Sequence, residues 1–130
     1  MLEINNLSIE FGSGGTKVVA VDDVSLRVAR GASIGIVGES GSGKSITALS
    51  IIQLLPPQAN LISGDIYFDG TELSKLSKNE IRNYRGNRIS MIFQEPMTAL
   101  NPVIKCGKQV IESILLHQKV SKKEAHLKVI

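Results

Sequence analysis

The chain has 130 residues, 42% of them hydrophobic, and a formal net charge of +3, which suits one small domain with an apolar core. The single cysteine excludes a disulfide framework, and the absence of Trp argues against base-stacking platforms for nucleic acid. No apolar run reaches the roughly 18 residues of a membrane span and no signal peptide begins at Met1, so we expect a cytoplasmic chain.

The first part of the chain predicts β-strands. Apolar residues recur through Leu2 to Phe11, and again in Val18 to Val21 and Val24 to Val28, with a break at Asp22-Asp23. Residues 33–37 then form a short, mostly apolar run, which is typical of a strand buried on both faces.

Residues 38–45 read Gly-Glu-Ser-Gly-Ser-Gly-Lys-Ser, the complete spacing of a phosphate-binding loop. Its glycines let backbone N–H groups point into one concavity, above the positive end of the helix that follows. Lys44 can reach the β- and γ-phosphates, and the Ser45 hydroxyl suits Mg²⁺. The loop therefore predicts a site for a nucleoside triphosphate with Mg²⁺. A Gly/Ser-rich turn that only joins a strand to a helix is the alternative.

A helix should follow the loop, because Ala48, Leu49, Ile52 and Leu55 recur at helical spacing before Pro56-Pro57 stops it. Further on, a strand at Ile66 to Phe68 leads into a tight turn at Asp69-Gly70.

Two capping boxes mark later helices. Ser77 with Glu80 predicts a helix over Lys78 to Tyr84, and Ser121 with Glu124 predicts the last one. Between them we expect a buried strand over 89–93 that places Gln94 at its C-terminal end, and a helix over 103–118.

In this order the motifs resemble the ATP-binding subunit of an ABC transporter, over all 130 residues. Phe11 falls where that family keeps an aromatic side chain that stacks on adenine; the alternative is a core aromatic next to a turn. Gln94 falls at the family's Q-loop glutamine, which helps hold Mg²⁺, as Ser45 does. The resemblance thus implies ATP and Mg²⁺ as ligands, with these binding residues: Phe11, Gly38, Glu39, Ser40, Gly41, Ser42, Gly43, Lys44, Ser45 and Gln94.

Residues 37–45 and 92–103 narrow the resemblance to the dipeptide and oligopeptide importer branch, which includes nickel importers; the loop at 95–102 is its most specific stretch. This implies a motor on the cytoplasmic face of the membrane that couples ATP hydrolysis to uptake. Its partners would be permease subunits, a second ATP-binding subunit and, indirectly, an extracytoplasmic solute-binding protein, with no nucleic acid.

The implied fold is an α/β P-loop NTPase with an antiparallel β-subdomain, truncated within its helical subdomain. Residues 1–95 would form the N-terminal part of the ATPase core, and residues 96–130 the start of the helical subdomain.

The family's signature Leu-Ser-Gly-Gly-Gln, its Asp-Glu strand end and its switch histidine are missing. We therefore expect no catalytic residue in this piece and no full catalysis by it alone; Glu95 more plausibly shapes its loop than acts as a base. The strands at 33–37 and 89–93 would lack the later strands that lie between them, exposing their apolar faces. We expect no stable native core from residues 1–130 alone, and a cooperative two-state melt would contradict this.

Other functions remain open. A soluble ABC ATPase that acts on DNA or ribosomes would use the lysines near the end of the chain as a contact surface. A nucleotide-binding piece without turnover is compatible with the importer. A nucleoside kinase is less expected, since its phosphate loop usually begins the protein.

Overall fold

The computed structural model describes residues 1–12, 17–93 and 99–129, which divide into two compact units, residues 1–81 (the sheet unit) and residues 82–130 (the helical unit). The elements in chain order are β1 (Leu2–Phe11), β2 (Val18–Val28), α1 (Lys44–Ile51), β3 (Ala59–Phe68), β4 (Thr71–Glu72), a 3₁₀ turn (Leu73–Lys75), α2 (Lys78–Arg82), α3 (Cys106–His117) and α4 (Lys122–Leu127).

The sheet unit is built on a four-stranded antiparallel sheet in the order β2-β1-β3-β4. The predicted strand Leu2 to Phe11 is confirmed as β1, which pairs with strands on both sides: Ile4 lies opposite Leu26 of β2 and Ile66 of β3. The antiparallel β-subdomain implied by the resemblance is this sheet.

The expected break at Asp22-Asp23 is a bulge within one continuous strand, β2. Asn6 and Asp23 both adopt positive φ, 48° and 50°, and the Asn6 side-chain amide donates to Asp23 Oδ1 at 2.8 Å. The Asp23 N–H donates to Ser8 Oγ at 3.0 Å. Asx side chains tolerate the left-handed region and satisfy the backbone groups that a bulge frees, so the strand continues.

Local signals in the sheet unit behave as predicted. Asp69 and Gly70 have φ of 46° and 82°, the double positive φ of a type I′ hairpin turn between β3 and β4. The capping box before α2 is confirmed, with the Ser77 N–H donating to Glu80 Oε2 at 2.8 Å and the Glu80 N–H to Ser77 Oγ at 3.4 Å. Hydrogen bonds from the Ser77 side chain and backbone lower the pKa of Glu80.

The core of the sheet unit lies under the sheet. Six large side chains there are at most 1% exposed, and they come from β1, β3, the 3₁₀ turn and α2: Ile4, Leu7, Ile9, Ile66, Leu73 and Ile81.

The prediction of buried strands at 33–37 and 89–93 is wrong for this chain. Both segments run without strand pairing, apart from an isolated bridge between Arg85 and Ile89. Val37 is 93% exposed and Ile92 95%, so the expected exposure of their apolar faces is confirmed. An extended segment becomes a strand only when a neighbour takes its backbone hydrogen bonds, and no described strand lies beside either one.

The helical unit contains the two helices expected near its end. α3 begins at Cys106 instead of near Val103, because Asn101 holds a turn there: its Oδ1 accepts from the Val103 N–H at 3.0 Å. The capping box of α4 is confirmed, with Ser121 and Glu124 exchanging side-chain-to-backbone hydrogen bonds.

No described helix in either unit is both long enough and apolar enough to span a membrane.

Candidate nucleotide-binding site

The phosphate loop, residues 38–45, connects the extended segment 33–37 to α1. Gly41 and Gly43 have φ of 83° and 86°, and the Ser42 N–H donates to the Glu39 carbonyl at 3.2 Å. Left-handed residues alternating with others turn successive N–H groups toward one side, which is the geometry of an anion-binding nest.

The Lys44 side chain curls back into the loop. Its ammonium donates to the Gly38 carbonyl at 2.8 Å, to the Glu39 carbonyl at 2.6 Å and to Ser42 Oγ at 3.1 Å. An ammonium group has three N–H donors, so all three are satisfied by neutral acceptors of the loop itself. The positive charge is thus held at the centre of the loop.

The start of α1 has no protein anion on it. Gly43 is the N-cap, no side chain caps the helix, and its first turn carries no acidic residue. The N–H groups of a first helical turn lack partners within the helix and carry its positive dipole end. This end of α1 therefore suits an anionic group such as a phosphate.

Gly43 is required at its position by packing as well as by φ. A Cβ there would lie 2.6 Å from the Ala20 carbonyl oxygen and 3.0 Å from Val21 Cγ2. The loop therefore rests with its backbone directly against β2, and only glycine allows that approach.

Ser45 is the candidate Mg²⁺ ligand of this loop. Its side chain is exposed on the first turn of α1, next to Lys44. Among the described residues no cluster of three His, Cys, Asp or Glu side chains could hold a metal by itself. One hydroxyl beside a phosphate site fits Mg²⁺, which keeps several waters and binds through phosphate oxygens.

The remaining predicted residues are only partly described. Phe11 is the last residue of β1, half-buried, and lies opposite Val18 of β2 and Ala59 of β3. Gln94 and Glu95 lie outside the described residues. The structure therefore brings residues 38–45 together and leaves the relation of Phe11 and Gln94 to them as a prediction.

The end of α1 differs from the prediction. The helix ends at Ile51 with Ile52 as C-cap, so Leu55 is not helical. Gln53, with φ of 51°, ends it in the left-handed region, where Gly or Asn is the usual residue. The one sign of this end in the sequence is a polar residue between the last apolar positions, shortly before two prolines.

The sequence is similar to those of known transport proteins. The sequence profile of the ABC transporter family matches residues 21–129. The chain is 45% identical over 126 residues to the oligopeptide transport ATP-binding protein OppD of Bacillus subtilis, covering 96% of this chain and 35% of that protein. It is 47% identical over 131 residues to the dipeptide transport ATP-binding protein DppD of the same organism, covering 100% and 39%. The chain thus spans little more than a third of the length of these relatives.

Among solved structures, the ATP-binding cassette MJ0796, in a dimer bound to ADP and inorganic phosphate, matches with a TM-score of 0.80 at 23% identity. The match covers 99% of this chain and 54% of that one. At this identity the likeness concerns the fold, and it confirms the ABC ATPase fold expected from the sequence.

Proposed function

This chain belongs to the ABC transporter family, and from that premise we propose that it is the nucleotide-binding part of an ATP-driven importer of peptides or related small solutes such as nickel. The observation that carries the proposal is the ammonium of Lys44, held inside a glycine loop at the uncapped start of α1. The names of OppD and DppD support peptides as the cargo.

The loop would hold the β- and γ-phosphates of ATP. A charged phosphate oxygen is a stronger acceptor than the neutral atoms that Lys44 now contacts, so the nucleotide would take over at least one of its three N–H donors. The N–H groups of the nest and of the first turn of α1 would hold the other phosphate oxygens. Phe11 would stack on the adenine.

Mg²⁺ would be held by the Ser45 hydroxyl, by phosphate oxygens and by Gln94. When bound, the ion neutralises phosphate charge during phosphoryl transfer. The residues of this chain contribute by fixing the phosphates, and positioning with charge stabilisation supplies most of the catalysis of such reactions.

Turnover would need groups that residues 1–130 do not supply: a base for the attacking water and a signature segment from a second ATP-binding subunit. We propose that residues 1–95 belong to the ATPase core and residues 96–130 to the helical subdomain. Movement of the Gln94 loop and the helices after it would act on permease subunits, with the motor on the cytoplasmic face of the membrane and a solute-binding protein outside. The alternative of a DNA- or ribosome-directed ATPase has no support among the relatives named above.

The first experiment replaces Lys44 with Ala in the complete gene product and measures ATP affinity by titration. Loss of charge-assisted hydrogen bonds to phosphate should weaken binding roughly ten- to a hundredfold. Lys128→Ala is the matched control, because the Lys128 ammonium contacts Gln118 of the helical unit and not the phosphate loop. The ATP affinity of this variant should equal that of the wild type.

The second readout is ATP-dependent uptake of a labelled oligopeptide by cells that carry either variant. Lys44→Ala should abolish uptake and Lys128→Ala should leave it unchanged. Retained transport with Lys44→Ala would refute the assignment, and uptake of nickel without peptide would correct the cargo.

A further inference from the structure

The residue that ends α1 is unusual for its position. The Gln53 N–H donates to the Ser50 carbonyl at 3.0 Å and the Leu54 N–H to the Leu49 carbonyl at 2.9 Å, the paired bonds of a Schellman motif. Such a motif places its key residue at positive φ, and Gln53 has φ of 51°. A side chain in the left-handed region costs about 1–2 kcal/mol relative to its ordinary backbone, so a glutamine here needs a compensating interaction.

The Gln53 side chain supplies that interaction. Its Nε2 donates to the Leu73 carbonyl at 2.5 Å and to the Leu76 carbonyl at 3.0 Å, so one amide closes the C-terminal end of the 3₁₀ turn. Both bonds are partly shielded from water, which raises their value.

The 3₁₀ turn is itself fixed to the sheet. The Leu73 side chain is fully buried, and Ser74 Oγ accepts from the Ile66 N–H of β3 at 3.3 Å. The Gln53 amide therefore ties the C-terminal end of α1 to the sheet through a turn that cannot shift without disturbing the core.

The other end of α1 is held by the close approach of Gly43 to Ala20 of β2. The helix has eight residues, a rod of about 12 Å. Because both ends of this short helix are held, its orientation relative to the sheet is fixed. If its C-terminal end were released, it could pivot about Gly43 and carry Lys44 and Ser45 out of register with the loop.

We infer that Gln53 is a positioning residue for the phosphate site: its amide fixes the orientation of α1 and thereby places the first-turn N–H groups, Lys44 and Ser45 against the nucleotide. The inference rests on the proposed nucleotide-binding function. The two hydrogen bonds of its side-chain amide go to Leu73 and Leu76, neither of which is a candidate ligand-binding residue, and they influence the site through α1.

The test compares two methionine variants of the complete gene product, Gln53→Met and Gln109→Met. Methionine keeps the length of the side chain and removes the amide. Gln109 is a matched control because its Nε2 likewise donates to two backbone carbonyls, of Asn101 at 3.0 Å and Ile104 at 2.8 Å, within the helical unit. Melting temperature and nucleotide affinity, with ADP and a non-hydrolysable ATP analogue as probes, are measured for each.

Both variants should lose stability, but only Gln53→Met should lose affinity, by roughly fivefold, the equivalent of about one net hydrogen bond. Gln109→Met should stay within about twofold of the wild type. Wild-type affinity in a folded Gln53→Met protein would overturn the inference while leaving the proposed function intact. A wild-type protein that binds no nucleotide would overturn both.

A second variant, Gln53→Glu, keeps the test decisive if Gln53→Met does not fold. As a carboxylate, the new side chain would face two carbonyl oxygens without a donor, whereas its protonated form regains one. Its affinity relative to the wild type should therefore recover as the pH falls from about 8 to about 5. A ratio that stays constant over that range in a folded Gln53→Glu protein would overturn the inference.

Discussion

The sheet unit folds around side chains that solvent barely reaches, whereas the described part of the helical unit buries one apolar side chain, Ala125. α3 buries none of its side chains. α3 and α4 contact each other, but the polar groups that support them are local: the capping box of Ser121 and Glu124, and the Gln109 amide on the turn before α3.

The two units differ in what determines their secondary structure. In the sheet unit, tertiary packing decides which segments become strands, and residues 33–37 fail to do so because no neighbour pairs with them. In the helical unit, hydrogen bonds between residues close in sequence are enough to start and stop helices. The phosphate loop depends on both kinds of interaction. Its local backbone conformation requires glycines with positive φ, and its position is fixed by contact with β2.

The largest effect that separates the units should come from Ile66→Ala compared with Ile92→Ala. Ile66 is 0% exposed in the sheet core, so its truncation should cost about 2–5 kcal/mol, while Ile92 is 95% exposed and should cost no more than about 0.5 kcal/mol. Native-state amide exchange of the 130-residue chain measures both, read at β1 and β3 for Ile66. If the unsubstituted chain shows no protection at β1 and β3, it has no stable native core, as the sequence predicts. Equal costs would mean that 89–93 packs as well as the sheet does.

A smaller effect should separate two glycines of the phosphate loop. Both have positive φ, but a Cβ on Gly43 would lie 2.6 Å from the Ala20 carbonyl, whereas nothing lies within 4 Å of one on Gly41. Gly41→Ala should therefore cost only the left-handed backbone term of about 1–2 kcal/mol. Gly43→Ala should cost more, because α1 must also move away from β2. Denaturant titration compares the two, and equal losses would show that the loop does not rest on the sheet.

The smallest effect should be a pH dependence confined to α4. Hydrogen bonds from the Ser121 backbone and side chain lower the pKa of Glu124, so its carboxylate stabilises the helix above the ordinary glutamate pKa of about 4.3. That contribution should disappear as the pH falls through the lowered value. NMR chemical shifts of residues 122–127 should report fraying there, and Glu124→Gln, which cannot titrate, should show none of it. Fraying that persists in the glutamine variant would place its cause elsewhere.

Much of the fold could be predicted because its signals are short. The recurring apolar residues of β1, the Asp69-Gly70 turn and the two capping boxes each need only a few neighbouring residues, and all four were confirmed. The strand prediction for 33–37 failed because an apolar run indicates only that a segment is suited to a buried strand. It does not show whether a neighbouring strand is present to pair with it. The end of α1 was missed because the partners of Gln53 lie 20 and 23 residues further along the chain.

Residues 38–45 alone were enough to predict a phosphate loop. Spacing of Gly, Lys and Ser sets the local backbone and the charges, and neither depends on distant residues. How that loop is held depends on contacts between distant parts of the sheet unit: Gly43 lies against Ala20, and Gln53 ties the far end of α1 to the turn at Leu73. Contacts between residues distant in sequence arise when the sheet forms and brings their backbones together, so no pattern along the chain could have shown them.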